Sequence, residues 1–352
     1  MISFYPGPSR VYESLPKHME EAYRTGVLSM NHRSRECMHL VKETTRELKK
    51  KLRIPANYKV LFLSSATECW EVIAQSLVKG NSIHLFNGAF GKKWFSYTQA
   101  LRPQARGVAF DLNQPLPVNI YMTEMICITQ NETSNGTQVT MPLLRHLRDL
   151  NPDCLFAVDA TSSMGGIRLD FSLADVWFAS VQKCFGLPAG LAVMVCSPRA
   201  VTRAFELNKH AHYNSLVNQL LYAEKHQTTH TPNVLDIYLL NKTLHNAPAI
   251  GITHKRLLAQ AKAWYALLQQ SGKYKPLCTD TALQSHTVIA VTAPASRVKQ
   301  VKTRAANAGF LLGEGYGDLQ STTFRIANFP ALKPKEILAL QEFLKKELQA
   351  SP

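Results

Sequence analysis

Two residues of opposite charge stand directly after apolar segments of the chain. Asp159 follows the apolar run Cys154–Val158, and Lys183 comes two residues after the run Val176–Val181. A carboxylate at the end of a buried strand is costly unless a cation or hydrogen-bond donors accompany it. A lone lysine at such a place is more simply a surface side chain with its head in water. The separation of the two residues by one β-α-β step favours a shared site.

A third strand end carries small and hydroxyl-bearing residues. The apolar run Lys59–Leu63 is followed by Ser64-Ser65-Ala66-Thr67, which leads into a predicted helix over Glu68–Val78. The N-terminus of a helix binds phosphate through its free backbone N–H groups and its dipole, although such a segment alone is an ordinary helix cap. A lysine, a carboxylate and a phosphate cradle together are the parts of a pyridoxal phosphate site. In such a site the lysine forms a Schiff base, and the carboxylate keeps the pyridine nitrogen protonated.

These residues need a framework that brings strand ends together. Short apolar runs alternate with helical patterns, beginning with a helix over Ser34–Leu52 in which Ser34 is the N-cap. The predicted strands are Lys59–Leu63, Ser82–Phe86, Met125–Thr129, Cys154–Val158, Val176–Val181 and Leu191–Cys196. This alternation indicates an α/β fold with a mostly parallel sheet that is covered on both faces. Such sheets bind their ligands at the carboxyl ends of the strands.

The pattern changes after residue 197. Long helical segments run to about residue 270, and a smaller α+β portion follows, with predicted strands at Thr287–Val291 and Thr323–Ala327. We therefore predict a large cofactor-binding α/β domain over residues 16–250. A small α+β domain is predicted over residues 251–352, joined by the N-terminal segment 1–15.

The composition excludes several classes of protein. The chain has 352 residues, with 40 Lys+Arg against 25 Asp+Glu, a formal net charge of +15 and 45% hydrophobic residues. These values are typical of a folded protein and not of a disordered chain or a fibrous rod. Basic residues form only short runs without a nucleic-acid-binding motif, so anionic small substrates explain the charge better than nucleic acid does. With no signal peptide and no run near ~18 apolar residues, we expect a cytoplasmic protein without a membrane partner.

The cysteines and histidines do not predict a metal site. The seven cysteines are scattered, odd in number and never spaced as CxxC, which favours reduced thiols over disulfides or a zinc cluster. The pairs His210 with His212, and His226 with His230, have no cysteine or carboxylate partner close in sequence. We therefore expect no bound metal.

The chain resembles the class V aminotransferases of pyridoxal phosphate fold type I and, within them, the phosphoserine aminotransferases. The resemblance is carried by the segments Phe4–Pro8, Asn31–Ser34, Ile54–Phe62, Asn131–Thr133, Ser180–Lys183, Thr229–Asn233 and Phe324–Asn328. These segments span nearly the whole chain, and the Asn-Glu-Thr, Gln-Lys and Thr-Pro pieces are specific in this order. The resemblance implies a homodimeric transaminase of serine biosynthesis that moves an amino group from glutamate to a 2-oxo acid. The leading candidate for this 2-oxo acid is 3-phosphohydroxypyruvate.

The resemblance also implies a role for each matching residue. Lys183 would hold pyridoxal 5'-phosphate covalently and shuttle a proton, and Asp159 would pair with the pyridine nitrogen. The other residues expected to bind the cofactor are Ala66, Thr67 and Gln182 at the phosphate, Thr133 at the phenolic oxygen, Phe90 on the ring (with Trp94 the other aromatic candidate), and His230 and Thr231 from the second subunit. The residues expected to bind the substrate are His32 and Arg33 at its phosphate and Arg325 at its α-carboxylate.

One stretch departs from that family. The family has a second His-Arg pair shortly before the carboxylate-binding arginine, and here Asp318 and Leu319 take those places. The phosphate loop also lacks the usual glycine-rich form. If Asp318 faces the substrate, it repels a phosphate. This favours another class V activity, such as a serine or alanine aminotransferase that uses glyoxylate or pyruvate.

Two further alternatives are disfavoured. A cysteine desulfurase needs a reactive cysteine, and none lies in a Gly/Ser-rich loop near the end of the chain. A non-catalytic binding protein of the same fold would have no need to keep Lys183, Asp159 and Arg325. An enzyme is therefore the preferred interpretation.

Overall fold

Residues 1–349 are described by a computed structural model and contain two main β-sheets with helices packed around them. The helices are α1 (Leu15–Arg24), α2 (Arg35–Leu52), α3 (Ala66–Ser76), α4 (Ala89–Leu101), α5 (Met141–Leu150), α6 (Pro198–Leu207), α7 (Leu216–Ala223), α8 (Val234–Asn246), α9 (Ile250–Gln269), α10 (Ala295–Asn307) and α11 (Pro334–Gln349). The strands are β1 (Ile2–Phe4), β2 (Lys59–Leu63), β3 (Ile83–Phe86), β4 (Arg106–Ala109), β5 (Met125–Thr129), β6 (Asn131–Glu132), β7 (Thr137–Gln138), β8 (Leu155–Asp159), β9 (Val176–Ser180), β10 (Ala192–Cys196), β11 (Lys275–Pro276), β12 (Val288–Thr292), β13 (Phe310–Glu314) and β14 (Thr323–Ala327).

The larger sheet has seven strands in the order β2-β10-β9-β8-β5-β3-β4. Its strands are parallel except β10, which runs antiparallel to both of its neighbours. The predicted α/β class with a mostly parallel sheet is confirmed. Because β5 and β8 are in parallel register, Thr129 lies opposite Asp159, and the polar residues after these strands meet at one edge.

Apolar side chains bury both faces of this sheet. In β8, Phe156 and Val158 join one hydrophobic cluster, whereas Leu155 and Ala157 join another on the opposite face. Burial of each large apolar side chain contributes roughly 1.5–3 kcal/mol, so the central strands form a rigid platform. Across residues 1–349, every helix is too short or too polar to cross a membrane.

The smaller sheet has five strands in the order β1-β13-β14-β12-β11. The first strand of the chain pairs in parallel with β13, so residues from both ends of the sequence share this sheet. The division near residue 250 stays a prediction; apart from β1, the two sheets lie on either side of it in sequence.

Candidate active site

A cavity of about 460 Å³ opens where β5, β8 and β9 end, with β14 of the smaller sheet contributing to its lining. The predicted residues that line it are Ala66, Thr67, Phe90, Thr133, Asp159, Gln182, Lys183 and Arg325. These residues are spread over 260 positions of sequence, and the fold brings them into one cavity.

Lys183 lies in the turn after β9, and its side chain is buried. Its Nζ donates hydrogen bonds to Thr133 Oγ1 at 2.8 Å and to Ser162 Oγ at 3.0 Å. Burial lowers the pKa of Lys183 from 10.5 to about 8, even though the nearby charge of Asp159 favours the ammonium form. An appreciable fraction of this amine is therefore neutral near physiological pH, and only the neutral form is nucleophilic.

Asp159 is the last residue of β8 and is also buried. Its Oδ1 accepts a hydrogen bond from the backbone N–H of Thr161 at 2.9 Å, and its Oδ2 accepts one from Trp70 Nε1 at 3.2 Å. Burial raises the pKa of Asp159, while the hydrogen bonds of Thr161 and the charge of Lys183 oppose that increase. The carboxylate is thus held by donors on both oxygens at the floor of the cavity.

The N-terminus of α3 lies at the cavity and begins two residues earlier than predicted. Ser65 is the N-cap, and its Oγ accepts a hydrogen bond from the backbone N–H of Glu68 at 3.1 Å. The backbone N–H of Ala66 donates to Ser180 Oγ at 2.9 Å, which ties the helix to the end of β9. Ala66 and Thr67 therefore form the first turn of the helix, where an anion is favoured.

Glu132 fixes the start of α4. Its buried carboxylate accepts hydrogen bonds from the backbone N–H groups of Gly91, at 3.1 Å, and Ser134, at 2.9 Å. This arrangement holds Phe90 at the cavity, with its ring centroid 5.2 Å from Lys183 Nζ. Trp94, the other aromatic candidate, is fully buried and does not line the cavity. Of these two aromatic side chains, Phe90 is the one available to a ligand.

Arg325 projects from β14 and is 5% exposed. Its Nε donates to the carbonyl oxygen of Glu314 at 2.6 Å, and its Nη1 donates to the carbonyl oxygen of Thr133 at 2.9 Å. A guanidinium group has five N–H donors, so three remain for a ligand. The two carbonyls hold the side chain in one orientation before any substrate binds.

The remaining four predicted residues do not line the cavity of their own chain. Three of them lie near one another, because burial and the charges of Arg33 and His230 lower the pKa of His32. Thr231 follows His230 in sequence, and the four residues are called the separate set. Arg33 Nη1 donates to Gln227 Oε1 at 2.5 Å. The structure therefore divides the predicted site residues into a cavity set and a separate set.

The segment of residues 315–320 borders the cavity without placing an acid in it. Tyr316 contributes its ring, which lies 5.1 Å from the ring of Phe90 between centroids. Asp318 is exposed and does not belong to the lining. The condition under which Asp318 would repel a substrate phosphate is therefore not met in this conformation.

Sequence reasoning missed three residues that lie at the cavity or contact Lys183. Trp70 and Lys93 line the cavity, and each follows a predicted site residue, Thr67 and Phe90, by three positions on a helix. Residues three apart share one face of a helix, so helical spacing could have found both. Ser162, which binds Lys183, lies in the hydroxyl-rich run after Asp159 that carried no specific signal.

The polar atoms of the cavity fit pyridoxal phosphate. Two buried atoms of its lining, Thr129 Oγ1 and Gln182 Oε1, have no hydrogen-bond partner within the described residues. Leaving a buried polar group unpaired costs about 1–3 kcal/mol, so a polar group bound in the cavity would be stabilised by pairing with these atoms. The amine of Lys183 suits the aldehyde of this cofactor, and the carboxylate of Asp159 suits its ring nitrogen. The N-terminus of α3 suits its phosphate, and Phe90 suits its ring.

Comparisons with known proteins decide the family. Residues 114–316, more than half of the chain, match the family model of class V aminotransferases. The chain belongs to the class V aminotransferases. A phosphoserine aminotransferase from Cytophaga hutchinsonii is similar over 99% of both chains, with a TM-score of 0.92 and 33% identity. The phosphoserine aminotransferase of Rhodococcus opacus (strain B4) is 27% identical over 349 residues, which cover 95% of this chain and 91% of the relative.

More distant aminotransferases share the fold alone. An aspartate aminotransferase from Thermus thermophilus has a TM-score of 0.86 at 20% identity, and an alanine–glyoxylate aminotransferase from Nostoc sp. has 0.83 at 17%. The same fold is thus shared by aminotransferases whose names give different substrates. As a member of this family, the protein is a pyridoxal phosphate-dependent aminotransferase that acts on small amino and 2-oxo acids.

Proposed function

We propose that this aminotransferase transfers the amino group between phosphoserine and 2-oxoglutarate, and in reverse from glutamate to 3-phosphohydroxypyruvate. The observation that carries the proposal is the pair of cations, Arg325 and Lys93, that line the cavity along with Lys183. Phosphoserine has two anionic groups, an α-carboxylate and a phosphate, and each is stabilised by a charged donor. The names of the relatives from Cytophaga hutchinsonii and Rhodococcus opacus support the same substrate.

Arg325 is the proposed ligand of the α-carboxylate. Its guanidinium is already oriented by the carbonyl groups of Glu314 and Thr133. A planar guanidinium can bind a carboxylate through two parallel N–H bonds, which a lysine cannot reproduce. Because the side chain is already held in one orientation, less of its conformational entropy is lost when the substrate binds.

Lys93 is the proposed ligand of the phosphate. It lies one turn after Phe90 on α4, with an exposed side chain whose Nζ is 5.4 Å from the ring centroid of Tyr97. The carboxylate of Glu314 also lines the cavity, but it forms an ion pair with Lys302 that offsets its charge. Lys93 therefore presents a positive charge at the open side of the cavity.

Each residue of the cavity has a separate proposed role in the reaction. When bound, pyridoxal phosphate supplies an electron sink for the carbanion that forms at the substrate Cα. Lys183 would bond to its aldehyde and move the proton at the substrate Cα, with Thr133 and Ser162 accepting hydrogen bonds from Nζ. Asp159 would hold the proton on the pyridine nitrogen, while Ala66, Thr67 and Gln182 would bind the phosphate. Phe90 would cover the ring.

We propose a homodimer in which the separate set completes the partner's cavity. His230 and Thr231 would reach the cofactor phosphate, and His32 and Arg33 the substrate phosphate, of the other subunit. Co-expression of Lys183→Ala and Arg33→Ala chains tests this arrangement. If the chains pair at random, half of the dimers contain one chain of each variant, and one of the two sites in each such dimer is intact. About a quarter of wild-type phosphoserine activity should therefore be restored. Activity no higher than that of the two separate variants would contradict shared sites.

A second candidate is a serine or alanine aminotransferase, favoured because the segment of residues 315–320 contributes no cation to the described cavity lining. A single-turnover panel separates the two functions. The cofactor-loaded protein is mixed with phosphoserine, serine, alanine or glutamate while the visible absorbance of the cofactor is followed. We expect phosphoserine and glutamate to react fastest, and the Lys183→Ala variant to react with none. Faster reaction with alanine or serine would establish the second candidate.

We also propose a cytoplasmic location for this reaction. All seven cysteines are free, and six of them are buried. Reduced thiols are typical of a reducing compartment. Fractionation of cells, followed by detection of the protein in the periplasm or in a secreted fraction, would contradict this location.

A further inference from the structure

The hydrogen bond between Trp70 and Asp159 joins a helix to a strand end across 89 residues of sequence. Trp70 lies on α3, which also provides the helix N-terminus at the cavity. The indole is 4% exposed and lines the cavity beside the carboxylate that it binds. Trp70 Nε1 donates to Oδ2 of Asp159, while the backbone N–H of Thr161 donates to Oδ1.

Neighbouring aromatic rings hold the indole of Trp70 in place. Trp94 stacks on it with a centroid separation of 6.3 Å and an interplanar angle of 13°. Tyr97 packs edge-on against it at 5.8 Å. Aromatic contacts of these kinds contribute about 0.5–1.5 kcal/mol beyond area burial. The direction of the N–H bond is therefore set by packing and not by the ligand.

The donor type has a chemical consequence. An indole N–H donates a hydrogen bond and cannot accept one, so it binds the ionised carboxylate more strongly than the protonated acid. Asp159 is buried, and burial favours the protonated form. A protonated Asp159 would no longer hold a charged pyridine nitrogen. The hydrogen bond from the indole thus opposes the protonation of Asp159 that burial promotes.

We infer that Trp70 is a positioning residue, whose indole N–H keeps Asp159 ionised and oriented toward the pyridine nitrogen of the bound cofactor. The inference rests on the role proposed above for Asp159. It predicts that loss of the N–H alone, with an aromatic ring retained, lowers the proton affinity of that nitrogen.

Trp94 provides a matched control. It belongs to the same aromatic cluster and is 1% exposed, but its Nε1 has no hydrogen-bond partner within the described residues. Replacing either tryptophan with phenylalanine removes a similar volume from the same cluster. Only Trp70→Phe removes a donor from Asp159.

The test follows the proton directly. Each apoenzyme is loaded with pyridoxal phosphate carrying ¹⁵N in the ring, and the ¹⁵N chemical shift is titrated with pH by solid-state NMR. In Trp70→Phe, the midpoint for loss of the ring proton should fall by about one pH unit, a tenfold change in proton affinity. The dissociation constant of the cofactor should rise about tenfold. Trp94→Phe should behave like the wild type in both measurements.

Two outcomes would overturn the inference. If Trp70→Phe and Trp94→Phe titrate alike, the indole N–H has no effect on the ring nitrogen. If Asp159→Asn also leaves the titration unchanged, the role of Asp159 fails as well, and the two failures are thereby distinguished. If Trp70→Phe does not fold, the contact is tested instead by comparing the indole N–H NMR signals of the wild type with those of Asp159→Asn. Of the four tryptophans, Trp70 alone should shift its indole signal in Asp159→Asn, and an unmoved signal would refute the contact.

Discussion

Replacement of Arg325 with lysine should weaken every amino-acid substrate by a similar factor. The reason is that Arg325 is proposed to bind the α-carboxylate, which phosphoserine, alanine and glutamate have in common. A residue that binds the side-chain phosphate would instead affect phosphoserine alone. The Arg325→Lys variant therefore separates the carboxylate position from the phosphate position within one cavity.

The magnitude follows from the hydrogen bonds of the guanidinium. Two of its five N–H groups are committed to the carbonyl oxygens of Glu314 and Thr133, which leaves three for the substrate. A lysine ammonium has three donors, so one remains if both carbonyls stay bound. A carboxylate bound through two donors would lose one charged hydrogen bond, worth about 1.5–3 kcal/mol. At about 1.4 kcal/mol for each factor of ten, kcat/KM should fall by roughly ten- to 150-fold.

The assay is single-turnover kinetics with each of the three substrates over a range of concentrations. Arg297→Lys is the control, because Arg297 lies on α10 away from the cavity lining. Thermal unfolding of both variants verifies that the smaller sheet remains folded. A loss confined to phosphoserine, or a change below about threefold for all substrates, would refute the assignment of the carboxylate to Arg325.

Lys93→Gln should lower kcat/KM for phosphoserine about three- to tenfold and leave alanine unchanged, since an exposed charge contributes about 1 kcal/mol. Lys92→Gln is its control, because Lys92 is exposed but does not line the cavity, and equal effects of the two variants would contradict the proposal. Asp318→Asn should change the ratio of phosphoserine to alanine turnover by less than about twofold, because its side chain lies outside the lining; a clear gain for phosphoserine would mean that it faces the substrate. The attachment of pyridoxal phosphate to Lys183, trapped with borohydride, should accelerate as pH rises toward about 8 and then level off, because its pKa is lowered to about 8. A rate that still rises toward pH 10 would indicate an ordinary lysine.

The central strands of the larger sheet could be predicted because they are buried on both faces. The runs that form β5, β8 and β9 are continuously apolar, so their pattern leaves little choice of structure. β4 and β13 were missed: β4 is a largely exposed edge strand, and Leu311 in β13 is also exposed. Such strands depend on pairing with distant segments more than on their own composition.

The candidate site was predictable where a residue type has one dominant use. Lys183 and Asp159 at strand ends point to one cofactor, and they do lie in one cavity. Trp70 gave no such signal, because a tryptophan on a helix is most simply a core residue. Its bond to Asp159 depends on how α3 packs against the sheet, which local sequence does not specify. His32 and Arg33 match a family motif, yet one chain alone does not bring them to its cavity.

The first residues of the chain act as a short tether between the two sheets. β1 is paired with β13, while Ser9 donates from its backbone N–H to the carbonyl oxygen of Gln182 and from Oγ to that of Lys183. The five Cα–Cα steps from Phe4 to Ser9 span at most about 18 Å. Any movement that separates the smaller sheet from the larger one must therefore pull on the turn that holds the reactive amine. The mechanical slack of this tether limits how far the cavity can open.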